Sequence, residues 1–349
     1  MLTKVRPTLL IAACLFFTGC GSLYVAQAAK GQLQILSARQ PIKRVLADPK
    51  APADLKARLE SVRAAREFAA RELALPNNKS YTTYSDLKRE FVVWSVVATP
   101  EFSVEPKEWC FPIVGCVAYR GYFHERSAQK FAGRLQAEGY DTMIGGVPAY
   151  STLGKFNDPI LSTMMSYGDD ELASIMFHEL SHQVVYIPDD SSFNEAFAVA
   201  VEHEGLARWL KFRGREADLG KYLKRRAWQA EGMHVVARYR TQLDALYHTA
   251  LEPAAMRAHK AEVFAALVRE LSALDARYGT QSGLAAELAG KPNNARLASL
   301  ATYYDCVPGF ERMIAANDHD LPRFYAAVRA LAKLPREERR AQLCASAAP

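Results

Sequence analysis

Apolar residues recur at helical spacing along most of this chain, and one stretch in its middle is β-branched instead. From residue 22 to 75, Leu33, Ile35 and Leu36 and then the segment Leu55 to Leu75 show helical periodicity among many Arg, Glu and Ala. Pro41, Pro49 and Pro52 interrupt it, so two or three helices are predicted. Residues 90–150 carry the strand signals. Phe91-Val92-Val93-Trp94-Ser95-Val96-Val97 is β-branched and bounded by a turn. Val117 to Phe123 and Thr142 to Tyr150 are further candidate strands, the last interrupted by Gly145 and Gly146. Two apolar-periodic helices follow, one marked by Leu172, Ile175, Met176 and Leu180, the other by Phe193, Phe197 and Val201. Residues 205–349 read as almost wholly helical, punctuated by Gly205, Gly214, Gly220, Gly290 with Pro292, and Pro308 with Gly309.

This order of elements predicts a predominantly helical α+β fold, with a small sheet lobe ahead of a long helical lobe. The chain divides into a leader (1–19), an N-terminal helical segment (20–89), a part with the strands and two helices (90–204) and a helical C-terminal part (205–349). A length of 349 residues, half of them hydrophobic, suits one large domain or two closely packed ones. The net charge of +6 is too dispersed to argue for nucleic acid, and suits a neutral-to-acidic partner or an anionic membrane surface. The basic run Lys221 to Arg226 reads as a solvated face.

Lys4 and Arg6 followed by the apolar run Leu9 to Phe17 read as an export signal, because the run is too short to span a bilayer as a mature helix. Phe17-Thr18-Gly19-Cys20 has the form of a lipobox, with Phe17 where leucine is usual. Cleavage before Cys20 and lipidation of its thiol would anchor the chain stably. Cleavage near Ala26-Gln27-Ala28 is the rival and would release a soluble exported protein. Gly21 after the cysteine is not an acidic retention signal, so the expected location is the cell envelope, facing the periplasm from the outer membrane. Export puts the cysteines in an oxidising space. Pro112 and Gly115 suit a tight loop between Cys110 and Cys116, so that pair is expected to be a disulfide, and Cys306 with Cys344 is the candidate second pair.

The chemistry is concentrated in Phe177-His178-Glu179-Leu180-Ser181-His182-Gln183 and Phe193-Asn194-Glu195-Ala196-Phe197-Ala198. Two histidines four apart on a helix lie on one face about a turn from each other, so both imidazoles reach one zinc ion. Glu179 between them is in the position of a general base toward a water on the metal's open side. The pattern is H-E-x-x-H, the zincin metalloprotease motif. Asp169, Asp170 and Glu171 favour a helix start just before it, and Pro188 with the polar residues after it ends the helix. A catalytic zinc needs a third protein ligand. Glu195, brought back by a short loop between antiparallel helices, is favoured, and His203 is its rival. Glu202 shares a helical face with Glu195 and is a candidate to orient His178 or His182 through their other ring nitrogens.

These two segments resemble the gluzincins, the clan of thermolysin and the alanyl-type aminopeptidases, although the gap between them is shorter here. A closer resemblance is to a bacterial family of predicted zinc aminopeptidase lipoproteins, once a domain of unknown function. It is carried also by Glu90 to Ser103, Trp109 to Phe123, Gly146 to Met164 and Asn293 to Met313, so it covers most of the chain. The resemblance implies a zincin-like fold, one Zn²⁺ held by His178, His182 and Glu195, and a tyrosine or histidine that donates to the developing oxyanion. Tyr303, Tyr304 and His234 are the candidates for that donor. A zincin also binds an extended peptide on a sheet edge, for which Gly146 to Tyr150 is the candidate. The G-x-M-E-N segment by which alanyl-type enzymes hold a substrate's amine is absent, and Glu202, Glu204 or an acid in the sheet lobe are the candidates to replace it. The expected function is therefore a zinc peptidase of the envelope, an aminopeptidase first. An endopeptidase or cell-wall peptide hydrolase and a non-catalytic zinc scaffold are the alternatives.

Overall fold

The computed structural model describes residues 20–111, 115–149, 152, 154–290, 292–304 and 306–344. The leader and Tyr150 lie outside them, as do the side chains of Cys20 and Tyr303. The N-terminal segment forms α1 (Cys20–Ser37), a short strand β1 (Arg39–Pro41), α2 (Ile42–Ala47) and α3 (Ala53–Glu72). The strands β2 (Thr83–Ser85), β3 (Val93–Pro100), β4 (Trp109–Phe111), β5 (Gly115–Val117) and β6 (Arg120–Tyr122) precede α4 (Glu125–Ala137), β7 (Tyr140–Val147) and β8 (Ile160–Leu161). The chain is then helical: α5 (Asp169–Ser181), α6 (Ser191–Phe212), α7 (Glu216–Tyr247), α8 (Pro253–Tyr278), α9 (Leu284–Leu288), α10 (Asn294–Tyr304), α11 (Val307–Ala316), α12 (Leu321–Leu331) and α13 (Arg336–Leu343). The protein is a mostly helical α+β fold.

The main sheet has the order β6-β3-β7, antiparallel throughout. Alternation along β3 decides which residue faces which layer. Val96 and Ala98 face α4, where Ala128, Phe131 and Leu135 cover them. Val97 points the other way onto Ala295 and Ala298 of α10, two small residues that let that helix approach closely. The strand expected over Val117 to Phe123 is in fact two. Val117 belongs to β5, which pairs with β4 in a hairpin closed by the Cys110–Cys116 disulfide, whereas Arg120 to Tyr122 join β3. The disulfide hairpin draws its own strand away from the main sheet, and Ala118 and Tyr119 bridge the two. β7 forms an edge of its sheet, with Gly146 and Val147 opposite Trp94 and Val93. A second sheet, β1-β2-β8, is followed by a 3-10 turn (Ser162–Met164) and then by α5.

The helix α5 is held on two sides. Phe68 of α3 meets Phe177 with ring centres 6.0 Å apart, and α6 folds back along the other side. Ser174 bonds Glu202, His178 faces both Glu202 and Glu195, and His182 faces Glu195, so α6 runs antiparallel to α5. Gly205 permits this approach: a Cβ there would stand 2.8 Å from Leu73 and 2.9 Å from Phe177. Phe193 and Phe197 on the far side of α6 pack on Phe310 of α11, and Phe197 stacks on Phe324 of α12. The pair α7 and α8 builds a separate apolar core around Leu243, Leu267 and Leu271.

Local signals explain the ends of the two central helices. Glu171 accepts the Gly168 N–H at 3.1 Å, which caps the start of α5. The helix stops at Ser181, earlier than Pro188 implies, because the Ser181 hydroxyl bonds the Phe177 carbonyl and tight turns at Gln183 and Val184 take over. Asp190 caps α6 by accepting the Phe193 N–H. Its carboxylate is also gripped by Arg339 of α13 at 2.6 Å, both side chains being almost wholly buried. A second disulfide, Cys306–Cys344, ties the end of α13 to the start of α11.

Candidate metal centre

His178, His182 and Glu195 are brought together by the antiparallel helices α5 and α6. Their ligand atoms all lie within 4.8 Å of one another. Glu195 Oε2 is 3.3 Å from His178 Nε2 and 3.7 Å from His182 Nε2. All three side chains are at least five-sixths buried. The loop that returns α6 to this position is clamped by Asn194, whose amide donates to the Ile187 carbonyl at 2.7 Å and accepts the Ile187 N–H at 2.8 Å. The residue before Glu195 thus fixes the entry angle of its own helix.

The other ring nitrogen of His178 is taken by Glu202, with Nδ1 and Oε2 3.0 Å apart. Ser174, one turn before His178, donates its hydroxyl to the second oxygen of the same carboxylate at 2.6 Å. His182 has no such support: its Nδ1 is buried without a hydrogen-bond partner among the described residues.

The electrostatics follow from burial and close charges. Burial works against a charged His178, but its hydrogen bonds to Glu195 and Glu202 outweigh it and hold its pKa well above the usual imidazole range. His182, buried and beside His178, is pushed down to about 4, although Glu195 opposes this. Burial would raise Glu195, and the two imidazoles overcome it, so its pKa is lowered. Glu179 is raised to about 7 by burial, with the charges of Glu195, Asp158 and Glu202 adding to the effect and His178 opposing it. Carboxylates normally titrate near 4, so its surroundings hold the Glu179 carboxyl well above the ordinary value.

The remaining sequence candidates fall elsewhere. His203 turns to Glu311, with its Nδ1 2.9 Å from Oε1, and is not part of the triad. Tyr304 stands beside Glu202 with its hydroxyl bonded to Gln229, in a cavity that the triad does not line. His234 is exposed on α7 near Glu231. Glu204 is engaged by Arg208 and His319. The run Lys221 to Arg226 is only partly a solvated face, since Arg226 turns inward to Glu311.

Three tyrosines that composition and periodicity do not single out are close enough to the central charges to be shifted by them. Tyr119 is raised by burial and then by Glu195, with Tyr186 and Glu179 contributing. Tyr186 is raised by burial, Glu195 and Asp189. Tyr81 is raised well above its usual value by burial, Glu179 and Asp158, and its buried hydroxyl has no partner among the described residues. Tyr81 also sits at φ 61°, a left-handed conformation that a bulky residue rarely adopts, with its N–H on the Asp158 carbonyl at 2.6 Å. One signal was available: Tyr119 lies three residues after Cys116, so a disulfide hairpin fixes its approach.

Two imidazoles and a carboxylate converging in a buried site are a donor set for a borderline-soft divalent ion. Zinc takes such N and O ligands in catalytic sites with one position left open. A Glu202-anchored His178 is the outer support expected of such a ligand. Over residues 23–343 the chain matches the family described as "Putative aminopeptidase", and it belongs to that family. No curated protein and no solved structure matches it.

Proposed function

We propose that the protein is a zinc-dependent peptidase, an aminopeptidase, in which His178, His182 and Glu195 hold one Zn²⁺ and Glu179 is the general base. The observation that carries this reading is the convergence of the two Nε2 atoms on the Glu195 carboxylate, with Glu179 one residue from His178. When bound, the ion would supply Lewis acidity to a water molecule and to the scissile carbonyl.

The chain's own groups do the rest. Glu202 and Ser174 fix the His178 ring so that Nε2 faces the centre. Glu179, one residue from His178 on the same helix, takes the proton of the attacking water and returns it to the leaving amine. Tyr119 and Tyr186 remain protonated at neutral pH and offer hydroxyl donors beside Glu195. The edge strand β7 offers main-chain groups to an extended peptide. The basic start, apolar run and lipobox of the leader support an envelope location with a lipid on Cys20.

The test is metal content together with hydrolysis of amino-acid amides by the chain without residues 1–19, beside Glu179→Gln. Zinc in both, with hydrolysis in the parent alone, supports the reading. Zinc in both with hydrolysis in neither removes the aminopeptidase reading and directs the assay to blocked and cell-wall peptides. A folded protein that binds no zinc removes the whole proposal.

A further inference from the structure

Beyond the expected leader, the net positive charge of this chain lies in one place. Of the +6, Lys4 and Arg6 of the leader account for two, and Lys30, Arg39, Lys43 and Arg44 for the other four, with no Asp or Glu between Cys20 and Ala47. Residues 48–349 are therefore balanced, and the charge that reads as dispersed over the whole sequence is localised on α1, β1 and α2. Lys30, Lys43 and Arg44 are exposed, and Arg39 donates only to the Leu36 and Phe156 carbonyls. None of the four makes an ion pair among the described residues. Such an asymmetry favours an anionic surface as partner.

The helix α1 is packed on one side only. Tyr24 stacks on Phe111 with ring centres 5.2 Å apart, Gln27 donates to the Gly121 carbonyl and accepts the Phe123 N–H, and Ile35 is buried. A Cβ at Gly31 would stand 2.2 Å from Phe123, so α1 lies against the body of the fold along its length. Its opposite side is Ala26, Ala29, Lys30 and Leu33, exposed and at helical spacing, with Val25 beside them. Leu33, at 65%, is more open than any other large apolar side chain among the described residues. The helix starts at Cys20, the residue expected to carry the lipid, and Tyr24 is docked one turn later. A rise of about 1.5 Å per residue puts about 6 Å of helix axis between them. A lipid on Cys20 would thus hold the folded body directly against the bilayer, without a spacer.

We propose that the outer side of α1, together with Lys30, Arg39, Lys43 and Arg44, docks on an anionic phospholipid surface. The cations are attracted to headgroup phosphates, and Leu33 and Val25 enter the interface. No acidic side chain interrupts the segment, which sets it apart from charge-paired helix faces such as that of Arg63 and Glu60 on α3. This complementarity, and the lipobox at the head of the same helix, favour a lipid surface over a protein partner. The part of the argument that starts from Cys20 rests on the lipid reading above, whereas the charge and the exposed face stand without it.

The test uses the chain without residues 1–19, which keeps every described residue and carries no lipid, so it stands apart from both the metal and the lipid readings. It is sedimented with vesicles of phosphatidylcholine containing phosphatidylglycerol, and with phosphatidylcholine alone. Binding is expected to the anionic vesicles only, half-complete at about millimolar lipid and weakened by salt. Lys30→Gln, Lys43→Gln and Leu33→Gln are each expected to weaken it about fivefold. Lys224→Gln on α7 and Lys333→Gln after α12, both at exposed positions, are expected to leave it unchanged. Equal binding to both kinds of vesicle, binding to neither, or an equal loss in the Lys224 and Lys333 variants overturns the proposal. So does a dimer in solution that Leu33→Gln dissociates, because a second copy would then cover this face.

Discussion

Glu202 Oε2 stands 3.0 Å from His178 Nδ1, and this contact turns the opposite nitrogen of the ring toward Glu195. A ring free to rotate would present either nitrogen in several directions. Ser174 holds the carboxylate in turn, so the orientation of this imidazole rests on two residues of two helices. Glu202→Gln is expected to weaken zinc binding about 10- to 100-fold, and Ser174→Ala by less. Competition against a fluorescent chelator measures both. Unchanged affinity in Glu202→Gln would show that packing alone orients His178.

Tyr119 lies near Glu195, its hydroxyl kept neutral by burial and by that charge. If it donates to the oxyanion, Tyr119→Phe lowers kcat about 10²- to 10³-fold with metal content unchanged. Tyr186→Phe is the comparison, since its hydroxyl is subject to the same charge. A normal kcat in both variants would return attention to Tyr303.

Arg339 and Asp190 form a nearly dry ion pair, with side chains 8% and 2% exposed. Removing one partner leaves a buried charge uncompensated. Arg339→Met is expected to destabilise the fold by about 3–5 kcal/mol, read as a lower midpoint in denaturant. Asp190→Asn with Arg339→Met should recover part of the loss.

Glu311 gives the pH dependence a definite sign. Burial would raise its pKa, but the His203 hydrogen bond and the Arg226 charge hold it below the usual carboxylate value. A depressed folded pKa stabilises above the unfolded pKa and loses that contribution as pH falls through the folded value. The stability gap between the parent and Glu311→Gln should therefore be full near neutrality and close on acidification below about pH 4.3, the unfolded value. A gap that stayed constant down to pH 3 would assign the effect to packing.

What the sequence reveals about the site follows helical geometry. Seven residues turn a helix by about 700°, which brings Glu202 within about 20° of Glu195, whereas His203 at eight residues is about 80° away. That difference sends Glu202 to His178 and His203 to Glu311. The spacing of His178 and His182 is equally local. Tyr81, Asp158 and Tyr119 come from distant strands and loops, and no periodicity relates them to Glu179. The strands were legible as β-branched runs, but the division at Ala118 was not, because a disulfide hairpin rather than propensity decides it. Tyr304 illustrates the opposite error: a residue can lie one layer from the centre and still turn to Gln229.

The carboxylate that caps the Glu195 helix is matched by Arg339, 149 residues further along the chain, and Cys344 fastens the Arg339 helix to Cys306. The start of α6 therefore has its counter-charge only once α13 has docked, although α13 contributes no atom to the cluster of His178, His182 and Glu195. A proteolytic cut between α12 and α13 would leave all three side chains in the product and remove the brace at the head of their helix. The spacing of the cluster thus depends on a distant segment that never touches it.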